Sequence, residues 1–142
     1  MARKAPSQVR SDLPRRSSRA DGRAVVPGVS SRTLAEIARV ERHRYEPGRA
    51  HRALSAWRAM VYQRGPWVIY PDWYGDCPCC EPAWSGDPRE TLDAFCHVLT
   101  RRAARELRAV LAPLDARFLA RTLHDPYAPP GDPWWRRRVE TA

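Results

Sequence analysis

Three of the four cysteines, Cys77, Cys79 and Cys80, crowd into the stretch WYGDCPCCEPAW from Trp73 to Trp84. Cys77 and Cys80 stand at C-x-x-C spacing, and Cys79 adds a C-x-C step. A tight turn at either spacing aims two thiolates at one ion. Zinc is the usual occupant, taking four S or N ligands at about 2.0–2.3 Å. Cys96 and His97 follow downstream, on a segment with helical periodicity. A knuckle followed by a short helix that returns a ligand is a familiar zinc arrangement. The preferred set is Cys77, Cys80 and Cys96, with Cys79 or His97 as the fourth ligand. Neighbouring residues on a helix point ~100° apart, so Cys96 and His97 are not expected on one ion.

Three readings compete with structural zinc. Cys96 shares a stripe with Leu92, Phe95 and Leu99, and free cysteine behaves as a small buried hydrophobe; it then belongs to the core, with no cofactor. A thiol–disulfide redox role for Cys77 and Cys80 needs an activated thiolate. Asp76 and Glu81 flank the pair and raise thiol pKa values, and no βαβ pattern surrounds it. An iron–sulfur cluster would require all four cysteines, adjacent Cys79 and Cys80 included. For catalysis the sequence offers no G-x-S-x-G, H-E-x-x-H or phosphate-binding glycine loop. His43, His51, His97 and His124 are scattered. No catalytic residue is assigned, and the leaning is against an enzyme.

Around the cysteines lie Tyr62, Trp67, Tyr70, Trp73, Tyr74 and Trp84. Rings can stack on bases. The stretch also carries Asp72, Asp76, Glu81 and Asp87, with no basic residue from Trp67 to Pro88. A phosphate backbone is repelled by such a charge, so the rings are expected to fill a core. Near the C-terminus, Trp134-Trp135-Arg136-Arg137-Arg138 pairs rings with cations. It can touch an anionic membrane or nucleic acid, but such tails more often lay their tryptophans on the domain surface.

The elements that must position these residues are helical. Thr33 and Glu36 stand at capping-box spacing and start a helix that Pro47-Gly48 stops. A second runs from about Arg49 to Gln63, with Leu54, Trp57 and Val61 on one stripe. Residues 66–86 hold a short strand at 67–70 and otherwise an irregular, aromatic insert. Asp87-Pro88-Arg89-Glu90 is a strong helix start: aspartate caps, proline suits the first position, and glutamate follows three residues after the cap. Thr100 caps a further helix whose apolar pattern continues to about His124, with a kink or restart expected at Pro113. The expected fold is mainly α, with four or five short helices. A disordered basic tail at 1–30 precedes a helical domain at 31–125, and a Pro/Trp/Arg-rich tail occupies 126–142.

Charge divides the chain. Residues 1–66 carry fifteen Lys or Arg against five Asp or Glu, and residues 67–142 carry ten against eleven. A basic arm fits nucleic acid or an anionic surface. Only Lys4 is lysine and there is no asparagine, so part of the arginine load is what a GC-rich genome writes. The segment TLAEIARV resembles the first helix of a helix-turn-helix, without the glycine turn and second helix that should follow. No stretch approaches the ~20 apolar residues of a membrane span. The N-terminus lacks the ~7–15-residue apolar run of a secretory signal. The expected setting is cytoplasmic, where thiols stay reduced and cysteines serve as ligands.

The blocks RGPWVIYPDWYGDCPCC and DPWWRRR resemble a set of short uncharacterised actinobacterial proteins, over roughly the second half of the chain. The resemblance implies a bacterial origin and carries no activity. The sequence therefore reads as a binding or scaffolding module with a structural zinc knuckle. Its alternatives are a nucleic-acid-associated protein using the basic half and a thiol–disulfide redox protein.

Overall fold

The computed structural model describes residues 25–62 and 87–140. Four α-helices and a two-stranded antiparallel sheet make up the described fold: α1 (Ser31–Arg44), α2 (Arg49–Tyr62), α3 (Pro88–Val98), α4 (Arg101–Arg121), β1 (Thr122–His124) and β2 (Arg138–Glu140). The mainly helical class expected from the sequence is observed. No described helix is long and apolar enough to cross a membrane. The expected tail at 1–24 and the insert at 66–86, with its strand, lie outside the described residues.

Each helix buries one stripe. Ile37 and Val40 of α1, Leu54, Trp57 and Val61 of α2, Leu92 and Phe95 of α3, and Leu107, Leu111, Leu114 and Phe118 of α4 form a single core. Trp57, Val61, Leu92, Phe95 and Leu107 are completely inaccessible to solvent. Spacings of three and four residues put these side chains on one face of each helix, so burying them orients the helix. Aromatic contacts link the helices: Tyr45 stacks on Phe95 at 4.9 Å, and Trp57 meets Phe118 at 5.0 Å.

The helix ends obey their capping residues. Asp87 Oδ1 accepts from the Arg89 and Glu90 amides at 2.9 and 3.2 Å, and Thr100 Oγ1 accepts from the Ala103 amide. The start of α1 differs from the expectation. Its cap is Ser30, whose Oγ accepts from the Thr33 amide at 3.3 Å, and Thr33 is a buried first-turn residue. Glu36, the supposed capping partner of Thr33, instead accepts from the Thr100 hydroxyl at 2.8 Å. Between α1 and α2, Gly48 adopts φ 80°, a left-handed value that side chains resist. The buried Glu41 carboxylate accepts from the Gly48 and Ala50 amides at 2.8 and 2.9 Å, which satisfies two otherwise orphaned donors at the new helix start.

One further expectation is revised. Pro113 does not restart the helix; α4 is continuous over Arg101–Arg121. An interior proline costs about 3 kcal/mol. Burying Leu107, Leu111, Leu114 and Phe118 contributes roughly 1.5–3 kcal/mol each, and Pro113 sits on the exposed face, where water can reach the carbonyl it frees. Two residues outside the α-helices also reach the core. Val26 is 2 % exposed, and Trp135 is 5 % exposed. After α4 the chain forms β1, turns through Asp125–Pro133, passes a 3-10 turn at Trp134–Arg136 and returns as β2, pairing Leu123 with Val139.

Candidate functional site

The predicted metal ligands divide in two. Cys77, Cys79 and Cys80 lie outside the described residues. Cys96 and His97 sit side by side on α3 but face different surroundings. Cys96 is a free thiol, 4 % exposed, on the stripe with Leu92, Phe95 and Leu99. Burial pushes its thiol up, against the lowering pull of Arg108 and Arg89. The His97 side chain is 70 % exposed, with Nδ1 2.8 Å from the Asp93 carbonyl and 3.4 Å from its carboxylate. Their divergence follows from the helical step between neighbours. Among the described residues, no three His, Cys, Asp or Glu side chains come together as a metal-holding group.

A second cluster was not visible in the sequence. Arg89, in the first turn of α3, has a side chain only 9 % exposed. It forks onto Asp115 of α4, Nε to Oδ1 at 3.1 Å and Nη2 to Oδ2 at 2.9 Å. Trp57 Nε1 donates to the same Asp115 oxygen at 3.1 Å. The Arg89 guanidinium carbon lies 4.8 Å from the Trp135 ring centroid and 5.6 Å from that of Trp134. Asp87 Oδ2 accepts from Trp135 Nε1 at 2.7 Å and from Arg136 Nε at 2.9 Å, and Arg136 also reaches Glu90. Planar, bidentate pairing between arginine and carboxylate is the form of ion pair best suited to burial. The cluster locks the end of the chain onto the start of α3. Its only local signal was the Asp87 cap; the partners Asp115 and Trp135 lie far along the sequence.

The third feature is an arginine face. The bonds from Ser30 N–H to Glu106 (2.7 Å) and from Thr100 to Glu36 run in opposite chain directions, so α1 lies antiparallel to the first half of α4. Arg32 and Arg39 flank Glu36 at i−4 and i+3, and Arg101 and Arg102 follow Thr100, which sets the two groups beside one seam. Arg32, Arg39, Arg42, Arg101 and Arg105 are exposed and make no ion pair among the described residues. Arg102 approaches Glu106 at only 3.6 Å and is 68 % exposed, a pairing worth little in water.

Carboxylates that might neutralise this face are turned inward. Glu36 serves Thr100, and Glu41 serves the α1–α2 turn. Glu106 accepts the Ser30 amide. That bond, with the Ser30 and Thr33 hydroxyls, holds the Glu106 carboxyl at about 2, down from 4.5. The exposed arginines of α1 and of the first half of α4 thus have as neighbours carboxylates already committed to hydrogen bonds.

Finally, Leu119, His124, Trp134, Arg137 and Arg138 line an open groove of about 370 Å³ where α4 meets the two strands.

Comparison with protein-family models, with curated proteins and with solved structures returned no match.

Proposed function

We propose that this protein is a non-enzymatic binding module whose helical domain presents an arginine face to a nucleic-acid backbone. The reading rests on the charge of α1 and the first half of α4: Arg32, Arg39, Arg42, Arg101 and Arg105 are exposed without carboxylate partners among the described residues, while Glu36, Glu41 and Glu106 accept hydrogen bonds within the fold. A GC-rich genome can raise the number of arginines, but it does not commit the carboxylates of α1 and of the first half of α4 to hydrogen bonds within the fold. Backbone phosphates are the natural counter-charge for such a row, and their binding is driven by release of condensed counterions.

Fluorescence anisotropy with unrelated duplex DNA tests the proposal across a salt series. Engagement of all five arginines gives a log–log salt slope of about −4.5, and each Arg→Gln change on the face reduces its steepness by about 0.9. Absence of measurable affinity at low salt overturns it.

The cysteine segment carries a second part of the proposal, in a cytoplasmic setting. A structural zinc ion is held there by Cys77, Cys80 and Cys96 with Cys79; His97, which diverges from Cys96 on α3, drops out of the set. Support comes from the C-x-x-C spacing and the preference of zinc for sulfur ligands. Native mass and elemental analysis before and after chelation test it. One zinc per chain, lost in the Cys77→Ser and Cys80→Ser variants, is the expected result; metal-free protein from zinc-replete cells defeats it.

A further inference from the structure

We propose that the groove between the end of α4 and the two strands binds a small organic anion, a carboxylate carried on an apolar body. Its walls supply both halves of such a ligand. Leu119, 42 % exposed, and the half-buried Trp134 offer apolar surface. Arg137, Arg138 and His124 offer cationic or polar edges, and no carboxylate is among the lining residues.

The two arginines differ in their commitments. Arg138 is fixed as a cap: Nε donates to Thr122 Oγ1 at 3.0 Å, and Nη2 donates to the Leu119 and Thr122 carbonyls. Its charge stays at the groove while most of its donors serve α4. Arg137 Nε is buried with no hydrogen-bond partner, and its guanidinium makes no ion pair among the described residues. A buried donor of this kind is normally paired, and a carboxylate matches the planar fork of a guanidinium. The volume, about 370 Å³, falls at the small end of the range for ligand pockets. Trp134 is held edge-on between Phe118 and Trp135, at 6.2 and 5.7 Å, so the apolar wall is rigid before any ligand arrives.

The site is separate from the arginine face. Arg105 lies fourteen residues before Leu119 on α4, roughly 21 Å along the helix. Failure at one place therefore leaves the other standing.

The test uses the full chain, titrated with benzoate, cyclohexanecarboxylate, neutral benzamide and inorganic phosphate, and read by the Trp134 indole NMR signal and by calorimetry. Both carboxylates are expected to saturate and shift the indole signal, with benzamide and phosphate at least about tenfold weaker. Arg137→Gln should weaken benzoate by about tenfold or more. Arg105→Gln should leave it within about twofold. Should Arg137→Gln fail to fold, Leu119→Glu places a like charge at an exposed wall position and should abolish benzoate binding. Benzamide or phosphate binding as tightly as benzoate overturns the proposal, as does full affinity in a folded Arg137→Gln or Leu119→Glu variant.

Discussion

At one end of this domain arginine is structural, and along the other it is displayed. Arg89, Arg136 and Arg138 are each tied to carboxylates, rings or helix-end carbonyls around the returning chain. Arg32, Arg39, Arg101 and Arg105, on α1 and the first half of α4, touch no carboxylate among the described residues. The side chain is the same; its neighbours decide its role. Beside Asp115 and two tryptophans a guanidinium is worth burying because one edge forks onto a carboxylate and the rings lie within cation–π reach. Where the nearby carboxylates are already accepting hydrogen bonds from inside the fold, it remains available for an external anion.

The sharpest way to break that contrast is at Asp115. Asp115→Ala removes the partner of a guanidinium whose side chain is 9 % exposed and the acceptor of Trp57. With only Asp93 left, 3.8 Å from Arg89 Nη1, breaking this buried pair should cost about 3–5 kcal/mol, read as a lowered urea midpoint. A smaller effect is expected at the seam beneath the displayed face. Gly28 has φ 85°, and a Cβ there would lie 3.1 Å from Val110 Cγ2. Gly28→Ala should cost about 1–2 kcal/mol by the same measurement.

Glu106 gives the seam a pH dependence. Its folded-state value of about 2 lies below 4.5. The contribution is therefore complete above pH 4.5 and is lost as pH falls through about 2. The stability difference between the native chain and Glu106→Gln should shrink across that interval, and a pH-independent difference would show that the Ser30 bond does not discriminate charge. The smallest effect on stability belongs to Arg105→Gln, within about 0.5 kcal/mol, although the same change is expected to weaken polyanion binding. A stability loss comparable to that of Asp115→Ala would mean that the displayed arginines are structural too, and the contrast would fail.

What the sequence revealed and concealed follows from distance along the chain. The starts at Asp87 and Thr100 were legible because a cap and the amides it serves are neighbours. The stripe of Leu92, Phe95, Cys96 and Leu99 was legible from period alone, and all four are buried. At the first helix, Ser30 and Thr33 are both competent caps, and Glu36 at the right spacing favoured the wrong one; its true partner, Thr100, is distant. The Arg89–Asp115 and Asp87–Trp135 pairs carry no local signature either. The returning segment past residue 125 is rich in proline and glycine and shows no period, yet distant Asp87 gives it a fixed place. The arginine face was half seen: α1 lay in the basic half, while its complement on α4 lay in the half that looked neutral. Of the candidate ligands, Cys96 and His97 were correctly expected to diverge, and the other three lie outside the described residues.

Two ties hold the end of α2 and the start of α3. Arg121 holds the Val61 carbonyl at 2.8 Å, and Asp87 is held by Trp135 and Arg136. Residues 61 and 87 are thus moored by contacts that do not involve what connects them. The end of α2 therefore answers to α4, and the start of α3 to the returning segment.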